Sequence, residues 1–435
     1  MPLKAFLLAR KELWSELFWS VFGQLISLFS GFLIVKVLTN QLSPTTYGNY
    51  ALWMTLISLG NQVYFSAIAS GLARFYSIAR ANNMLETYFQ SVAYFFSKIM
   101  RFTAIVSLAI LTFILIAPSK VGLNLLLASL LTSLSGFVAI LHSINNAARN
   151  RRFITVSFII DNGIKLALII GAFNLLSYSN TPQILLIMIF AAAISLMYLS
   201  NRIGSNKDYL FSFNISYKPR WVKDVNYFAR PLLISGIFNW SFFASQRWAL
   251  EFSNGSAEVG KFFALSQLTY LPMTLFFGFL VSFLSPIVFQ KANDLSNITA
   301  VKKSLRLLDF LVIFIFAFTI IACWLTGLFG DKYLSLFLPS SYYQSPLNAV
   351  ILVMSAGVLY ASIASGQVLS VLNQPNMILS LSTGGQLIFV TMNFAASFTW
   401  GLQGLIYSVL ISSIVHLLWM RIIAFRAVRR YQACL

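Results

Sequence analysis

Long apolar runs recur along this chain, and they limit what it can fold into more than any other feature. Hydrophobic residues make up 58% of the 435 residues and charged residues only 9%, whereas a typical soluble domain carries about 25% charged residues. A run of about 20 apolar residues spans a bilayer core as a helix. We predict twelve such spans, at residues 17–38, 50–71, 102–117, 121–144, 153–176, 184–200, 231–250, 262–289, 307–329, 347–371, 377–397 and 402–420.

A unit around Gly48 is repeated around Gly260, about half of the chain further on. Each copy is an apolar helix with one cation near its end, Lys36 or Arg247, followed by a short polar turn. The glycine comes next, with an aromatic residue two positions later, and a second apolar helix follows. A repeat at half-length is typical of secondary transporters, in which two related bundles enclose a site. We therefore predict an all-α polytopic membrane protein with two pseudo-symmetric six-helix lobes around a central cavity.

Two long connections interrupt the apolar pattern. The more polar one, at residues 201–229, is basic and central, so we place the boundary between an N-terminal lobe (1–205) and a C-terminal lobe (206–435) within it. The other, at residues 72–101, is rich in aromatic residues and predicts a helix that lies along the inner membrane surface.

The net charge of +19 comes from Lys and Arg residues that collect in alternate connections between the spans. Such residues are concentrated on the cytoplasmic side of membrane proteins. Placing them there predicts a multi-pass protein with both termini in the cytoplasm. The basic balance is therefore a topology signal, and it does not indicate a nucleic-acid partner.

The usual signatures of catalysis and metal binding are missing from the sequence. It has no P-loop, no H-E-x-x-H, no G-x-S-x-G elbow and no Cys/His cluster. Cys323 and Cys434 offer no disulfide framework. His416 lies in the last span, where a lone polar residue more often forms a hydrogen bond between helices than a site. We predict no enzymatic activity, no metal site and no cofactor.

Asp161 and Lys165 are the clearest ionisable pair within a span. Four residues separate them, so both lie on one face of their helix. One interpretation is a self-neutralising pair that allows a polar face to survive in the bilayer. The other is a site in the cavity, with Asp161 coupling transport to an ion and Lys165 contacting substrate, because ionisable residues inside membranes are usually functional.

Lys36 and Arg247 lie near the outer ends of their helices. A long cation in such a place can extend to the lipid headgroups without any other role. Their matching positions in the two copies argue for more, because that explanation gives no reason for a repeat. We take both as candidate substrate-binding residues, and Trp240 and Phe243, on the face of Arg247, as minor cavity-lining candidates.

Several segments resemble the polysaccharide-export flippases of the Wzx type. They are residues 38–51 (LTNQLSPTTYGNYA), 229–233 (ARPLL), 246–247 (QR) and 258–265 (EVGKFFAL). The resemblance extends over the whole chain in length, number of spans and repeat. These flippases commonly have an Asp-Arg pair where this chain has Gln246 and Arg247, so the cation carries over and the acidic partner does not.

The resemblance implies a bacterial inner-membrane protein in the superfamily that includes the multidrug extruders. The Wzx-type flippases move an undecaprenyl-pyrophosphate-linked oligosaccharide, such as an O-antigen unit of lipopolysaccharide, from the cytoplasmic to the periplasmic face. A pyrophosphate needs buried cations, and Lys36, Lys165 and Arg247 are the ones within the spans. The expected partners are this lipid-linked oligosaccharide, membrane lipids, and polysaccharide polymerase or chain-length proteins.

Other functions remain open at this stage. An ion-coupled multidrug or cation antiporter would need carboxylates in its cavity, and only Asp161 lies well inside a span. A sugar polymerase or ligase would need a large periplasmic loop, which the sequence lacks. A structural scaffold would not explain the repeated cations.

Overall fold

A computed structural model describes residues 3–175, 180–201, 220–292, 297–372 and 375–433. Over these ranges the chain forms α-helices with one π-helical and one 3₁₀ turn, and no strand. The π turn is Asn61–Phe65 and the 3₁₀ turn is Ser340–Tyr342. In chain order the helices are α1 (Leu3–Gln41), α2 (Pro44–Gly60), α3 (Ser66–Ala81), α4 (Leu85–Ile116), α5 (Lys120–Ala147), α6 (Arg151–Leu175), α7 (Thr181–Asn201), α8 (Trp221–Asn254), α9 (Ser256–Leu268), α10 (Tyr270–Lys291), α11 (Ile298–Phe337), α12 (Pro346–Val371) and α13 (Pro375–Ala433).

These helices correspond to the twelve predicted spans. α2 continues into α3 through the π turn, and Thr269 alone separates α9 from α10. α13 is two helices that meet at Gly401, where φ is 58° and ψ is −140°. Counted over the described ranges, this gives twelve continuous helical stretches, each overlapping one predicted span. The predicted all-α, polytopic architecture is confirmed.

By length and composition, nine stretches of the described helices could cross a membrane. Two features account for part of the difference from twelve. α2 and α3 have 17 and 16 residues when the π turn divides them. The two helices of α13 are counted there as one stretch, 383–432. The chain is therefore an integral membrane protein with many apolar helices.

The described chain separates into two compact units. The first contains Met1–Leu42 and Leu52–Trp240, and the second contains Ser43–Ala51 and Ser241–Leu435. The lobe boundary predicted between residues 205 and 206 falls in 202–219, outside the described residues, and stays a prediction.

Aromatic side chains form the core of the first unit. Tyr88, Phe95 and Phe96 of α4 are almost fully buried, and the Phe96 ring stacks on Phe137 of α5 with ring centroids 4.4 Å apart. The Tyr88 hydroxyl donates to the Leu72 carbonyl at 2.9 Å.

The surface helix predicted at residues 72–101 is therefore wrong. Its aromatic residues belong to the end of α3 and the start of α4, because these helices extend beyond the apolar spans and bury the rings between them.

The two copies of the repeat meet within the second unit. A Cβ atom built on Gly48 would lie 1.8 Å from the Ser256 carbonyl oxygen, and one on Gly260 would lie 2.0 Å from the Pro44 carbonyl oxygen. Pro44 and Ser256 hold equivalent places in the copies, as do the two glycines. Only a residue without a side chain permits backbones to approach so closely. The start of α2 and the start of α9 thus cross through equivalent atoms, as a local pseudo-twofold axis requires.

Candidate functional site

Arg247 lies in the second unit, near the end of α8. Its Nη1 donates to the carbonyl oxygen of Ala51 at 3.2 Å. Its guanidinium carbon lies 4.2 Å from the centroid of the Phe263 ring, which is the geometry of a cation–π interaction. Ala51 follows the first copy of the repeated turn and Phe263 follows the second. Arg247 is therefore held where the two copies cross.

Phe263, which contacts this guanidinium, belongs to a cluster of aromatic side chains. Tyr47, Tyr50 and Phe263 are buried, and Tyr47 lies 5.3 Å from Phe263 and 5.9 Å from Tyr50 between ring centroids. Tyr342, on the 3₁₀ turn, meets Tyr47 edge-on at 5.8 Å. We call Tyr47, Tyr50, Phe263 and Tyr342 the aromatic cluster beside Arg247. Burial raises the pKa of Tyr47, which precedes the predicted span, well above its usual value, so its phenol supplies no negative charge.

The nearby carboxylates have other partners. Glu251, one turn after Arg247, accepts hydrogen bonds from the Ser256 hydroxyl at 2.8 and 3.0 Å. Glu258 forms an ion pair with Lys261 at 2.7 Å. Among the described residues, Arg247 forms no ion pair, and its partners are the Ala51 carbonyl and the Phe263 side chain. A cation taken out of water without a counter-charge costs several kcal/mol, so this arrangement favours an anionic ligand.

Gln246 stands where the resembling flippases have an acid. Its side chain is 6% exposed, and its Nε2 has no hydrogen-bond partner within the described part of the chain. The amide cannot neutralise Arg247. The positive charge at this point of the second unit is therefore not reduced by its neighbour in sequence.

Lys36 lies in the first unit, on the last turns of α1. Its side chain is half-buried, and the backbone of this segment is braced by the Thr39 hydroxyl, which donates to Val35 O at 2.9 Å. The two cations of the repeat belong to different units. Their joint action on one ligand stays a prediction.

Asp161 and Lys165 form the ion pair that their spacing predicts, in the first unit on α6. Both side chains are about one-fifth exposed. Ser157, one turn before Asp161, is hydrogen-bonded through its hydroxyl to His142 Nε2 of α5 at 2.9 Å. Ser157, Asp161 and Lys165 thus form one polar stripe along α6, with His142 at its end. Whether the stripe contacts substrate or ions stays a prediction.

The two minor aromatic candidates have other neighbours. The indole nitrogen of Trp240 donates to the Thr55 carbonyl at 2.7 Å within the first unit. Phe243 is 37% exposed and meets the neighbouring Phe242 edge-on at 4.7 Å. Phe243 does not belong to the aromatic cluster beside Arg247, which consists of Tyr47, Tyr50, Phe263 and Tyr342.

Sequence reasoning missed the residues that surround Arg247. Tyr47 and Tyr50 were visible in the repeated turn, but nothing in their spacing connects them with a cation 200 positions away. It also missed a buried network in the second unit, where Asn393 Nδ2 donates to Ser245 at 2.9 Å and Asn393 Oδ1 accepts from Ser408 at 3.0 Å.

His416 forms a hydrogen bond between helices, as we expected. Its Nδ1 lies 2.7 Å from the Ser362 hydroxyl. In the described part of the chain, no group of three or more His, Cys, Asp and Glu side chains could hold a metal ion.

No family model and no curated protein matches this sequence. Solved structures do match it over almost its whole length. A multidrug-resistance transporter of the MATE family, in the MOP superfamily, was solved in an inward-facing conformation. The match to it covers 94% of this chain and 99% of that one, with a TM-score of 0.70 and 12% identity.

Two further structures have the same fold. The MATE transporter VcmN of Vibrio cholerae matches with a TM-score of 0.62 and 15% identity, over 97% of each chain. A MOP-superfamily transporter of Pyrococcus furiosus matches with a TM-score of 0.62 and 10% identity, over 95% of this chain and 96% of that one. It is described as having a binding pocket of reverse polarity, which suggests a different function. At these identities the similarity establishes the fold alone, which is that of MOP-superfamily transporters.

Proposed function

We propose that this protein is a flippase for an undecaprenyl-pyrophosphate-linked oligosaccharide. It would move the repeat unit of O-antigen or another surface polysaccharide from the cytoplasmic to the periplasmic leaflet of a bacterial inner membrane. The observation that carries the proposal is the environment of Arg247, which has a carbonyl and an aromatic ring as partners and no ion pair among the described residues.

The chemistry of pyrophosphate suits this environment. A guanidinium donates paired hydrogen bonds to phosphate oxygens, and such charge-assisted bonds are stronger than neutral ones. The cation–π contact with Phe263 holds the planar group without neutralising it. A preorganised and uncompensated cation therefore gains most from a ligand with negative charge. Lys36, which the repeat relates to Arg247, would supply the second contact.

An ion-coupled multidrug or cation antiporter is the second candidate. On solved structures alone it is the better supported of the two, because the similar structures are mostly MATE transporters. The charges argue the other way, since Asp161 is already paired with Lys165 and a cationic drug needs a free carboxylate. The Pyrococcus furiosus transporter, with its pocket of reverse polarity, is a precedent within this fold for a different substrate charge.

Substitution of the two cations tests the flippase. We expect Arg247→Ala to weaken substrate binding about ten- to a hundredfold, because one charge-assisted contact is worth roughly 1.5–3 kcal/mol. Arg247→Lys should keep part of the activity, since it preserves the charge and loses the planar fork. The Lys36→Ala, Arg247→Ala double variant should be nearly inactive. The measurement is surface polysaccharide in a strain that lacks its own flippase.

Lys261→Ala is the matched control, because Lys261 is a cation that already has a carboxylate partner. Membrane levels of every variant are measured alongside. Near-normal export by the double variant would refute the role of both cations. The drug susceptibility of the same strains is measured as well. If drug resistance depends on the protein and polysaccharide export does not, the result favours the antiporter.

A further inference from the structure

A cavity of about 820 Å³ lies in the first unit, where α1 passes the end of α5, the start of α6 and the end of α7. Ser15 and Trp19 of α1, the turn between α5 and α6, and Tyr198 at the end of α7 line it. A hydrogen bond of 2.7 Å from the Thr155 hydroxyl to the Trp19 carbonyl fixes α6 against α1 beside it. By the distribution of Lys and Arg, this end of the helices is on the predicted cytoplasmic side.

Three arginines line this cavity, and none of the described residues that line it is acidic. They are Arg149, Arg151 and Arg152, in the turn and at the start of α6. Arg151 is hydrogen-bonded to the amide oxygen of Asn146, and the guanidinium carbon of Arg152 lies 5.5 Å from the Trp19 ring centroid. The first turn of α6 contains no acidic residue that would offset the partial positive charge of the helix N-terminus.

The backbone of the turn is organised to present these side chains. Arg149 has a φ of 63°, in the left-handed region that residues with a side chain seldom occupy. Two backbone hydrogen bonds close the turn, from Asn150 N to Asn145 O at 2.9 Å and from Arg149 N to Asn146 O at 3.1 Å. The Asn150 side-chain amide also donates to Asn145 Oδ1 at 3.2 Å. Positive charge alone is enough to set the topology, whereas the hydrogen bonds of this turn also fix the backbone that carries the arginines.

The other side of the cavity is aromatic and apolar. It consists of Trp19, Phe153, Val156 and Tyr198, and the rings of Phe153 and Tyr198 stack with centroids 4.6 Å apart. Trp and Tyr side chains are typical of the layer where lipid headgroups meet the acyl chains. The volume lies within the range of about 300–1,000 Å³ that binding cavities have. A ligand with one anionic and one apolar part fits both sides.

We propose that this cavity binds the phosphate headgroup of an anionic phospholipid from the leaflet on that side. The arginines would contact the phosphate oxygens, and Trp19 and Phe153 would contact the glycerol and the first methylene groups. Basic cavities between membrane helices are known to select anionic headgroups in this way. The proposal does not depend on which substrate the protein transports.

Lipid retention by the purified full-length protein tests the proposal. The probe is phosphatidylglycerol offered together with an equal amount of phosphatidylcholine in mixed micelles, and native mass spectrometry counts the lipids retained. We expect phosphatidylglycerol to be retained preferentially. The Arg151→Gln, Arg152→Gln variant should retain at least about tenfold less of it, which corresponds to the loss of at least one charge-assisted contact.

Two variants make the result specific. Lys302→Gln, Lys303→Gln removes two exposed cations from the predicted same side, outside the cavity, and should leave retention unchanged. Arg151→Lys, Arg152→Lys keeps the charge and should retain an intermediate amount, which covers the case in which the glutamine variant does not fold. The proposal would be overturned if the Lys302→Gln, Lys303→Gln control lost as much phosphatidylglycerol as the Arg151→Gln, Arg152→Gln variant. It would also be overturned by equal competition from free inorganic pyrophosphate, which would indicate a site for soluble anions.

Discussion

The cations inside the helices differ in how their charge is balanced. Lys165 has the Asp161 carboxylate one turn away, so the pair presents no net charge. Arg247 has the Ala51 carbonyl and the Phe263 ring, so its positive charge is preserved. Substitutions at the two places should therefore have different effects. We expect the loss of Asp161 to reduce mainly the stability of the protein, and the loss of Arg247 to reduce mainly transport.

The Asp161–Lys165 pair should behave as a structural unit. We expect Asp161→Asn to destabilise the purified protein by roughly 1–3 kcal/mol, because it leaves an ammonium group without its partner in a half-buried place. The Asp161→Asn, Lys165→Met double variant should recover most of this loss and should still export polysaccharide. Thermal unfolding and export are measured on the same preparations. A double variant that inserts normally but does not export would assign the pair to the transport cavity.

Among the structural elements, the crossing of α2 and α9 is the most sensitive to size. We expect Gly48→Ala to lower the thermal unfolding midpoint of the purified protein. The added methyl group would lie 1.8 Å from the Ser256 carbonyl oxygen, and both atoms belong to a rigid arrangement. Overpacking of this kind usually costs about 1–3 kcal/mol.

Gly327→Ala is the control for this substitution. It places the same methyl group in α11, where no atom lies within 4 Å, and it should leave the midpoint unchanged or raise it slightly. If the two variants unfold at the same temperature, the close crossing of the repeats is not formed in the membrane protein.

Apolar periodicity predicted where α13 breaks, but not the geometry of either helix interruption. The kink at Gly401 falls between the predicted spans 377–397 and 402–420, whereas the π turn at Asn61–Phe65 lies within the predicted span 50–71. Packing decides them, because the Asn61 amide reaches Ser135 of α5 at 2.9 Å and Gly401 adopts a φ that favours glycine. The helices themselves were predictable, since each contains an apolar run of sufficient length.

At the scale of the whole molecule, the charge distribution predicts twelve crossings with both termini inside. In a background in which Cys323 and Cys434 are replaced by Ser, we expect Asn254→Cys to react with a membrane-impermeant thiol reagent added outside intact cells. Asn82→Cys should react only after the cells are opened. Both side chains are exposed, so a difference reports the side of the membrane. The reverse pattern would contradict the topology.

The sequence by itself determined that this chain is a helical membrane protein, how many helical stretches the described residues form, and that a unit around Gly48 recurs around Gly260. The physical reason is that lipid offers no hydrogen bonds to the backbone, so an apolar run of about 20 residues has the helix as its available form. Lys36 and Arg247 stand out as cations within apolar runs, and Gly48 and Gly260 as matching positions in the turns that follow; both pairs recur at half-length.

Only the tertiary structure decided what surrounds these residues. Arg247 meets Ala51 and Phe263, the two glycines meet each other's segments, and the arginines in the turn before α6 and at its start share a cavity with Trp19. Each contact joins residues far apart in the chain, and each depends on how whole helices pack against one another. Local periodicity determines which face of a helix is apolar, but the partner of that face is set by the packing of all the helices together.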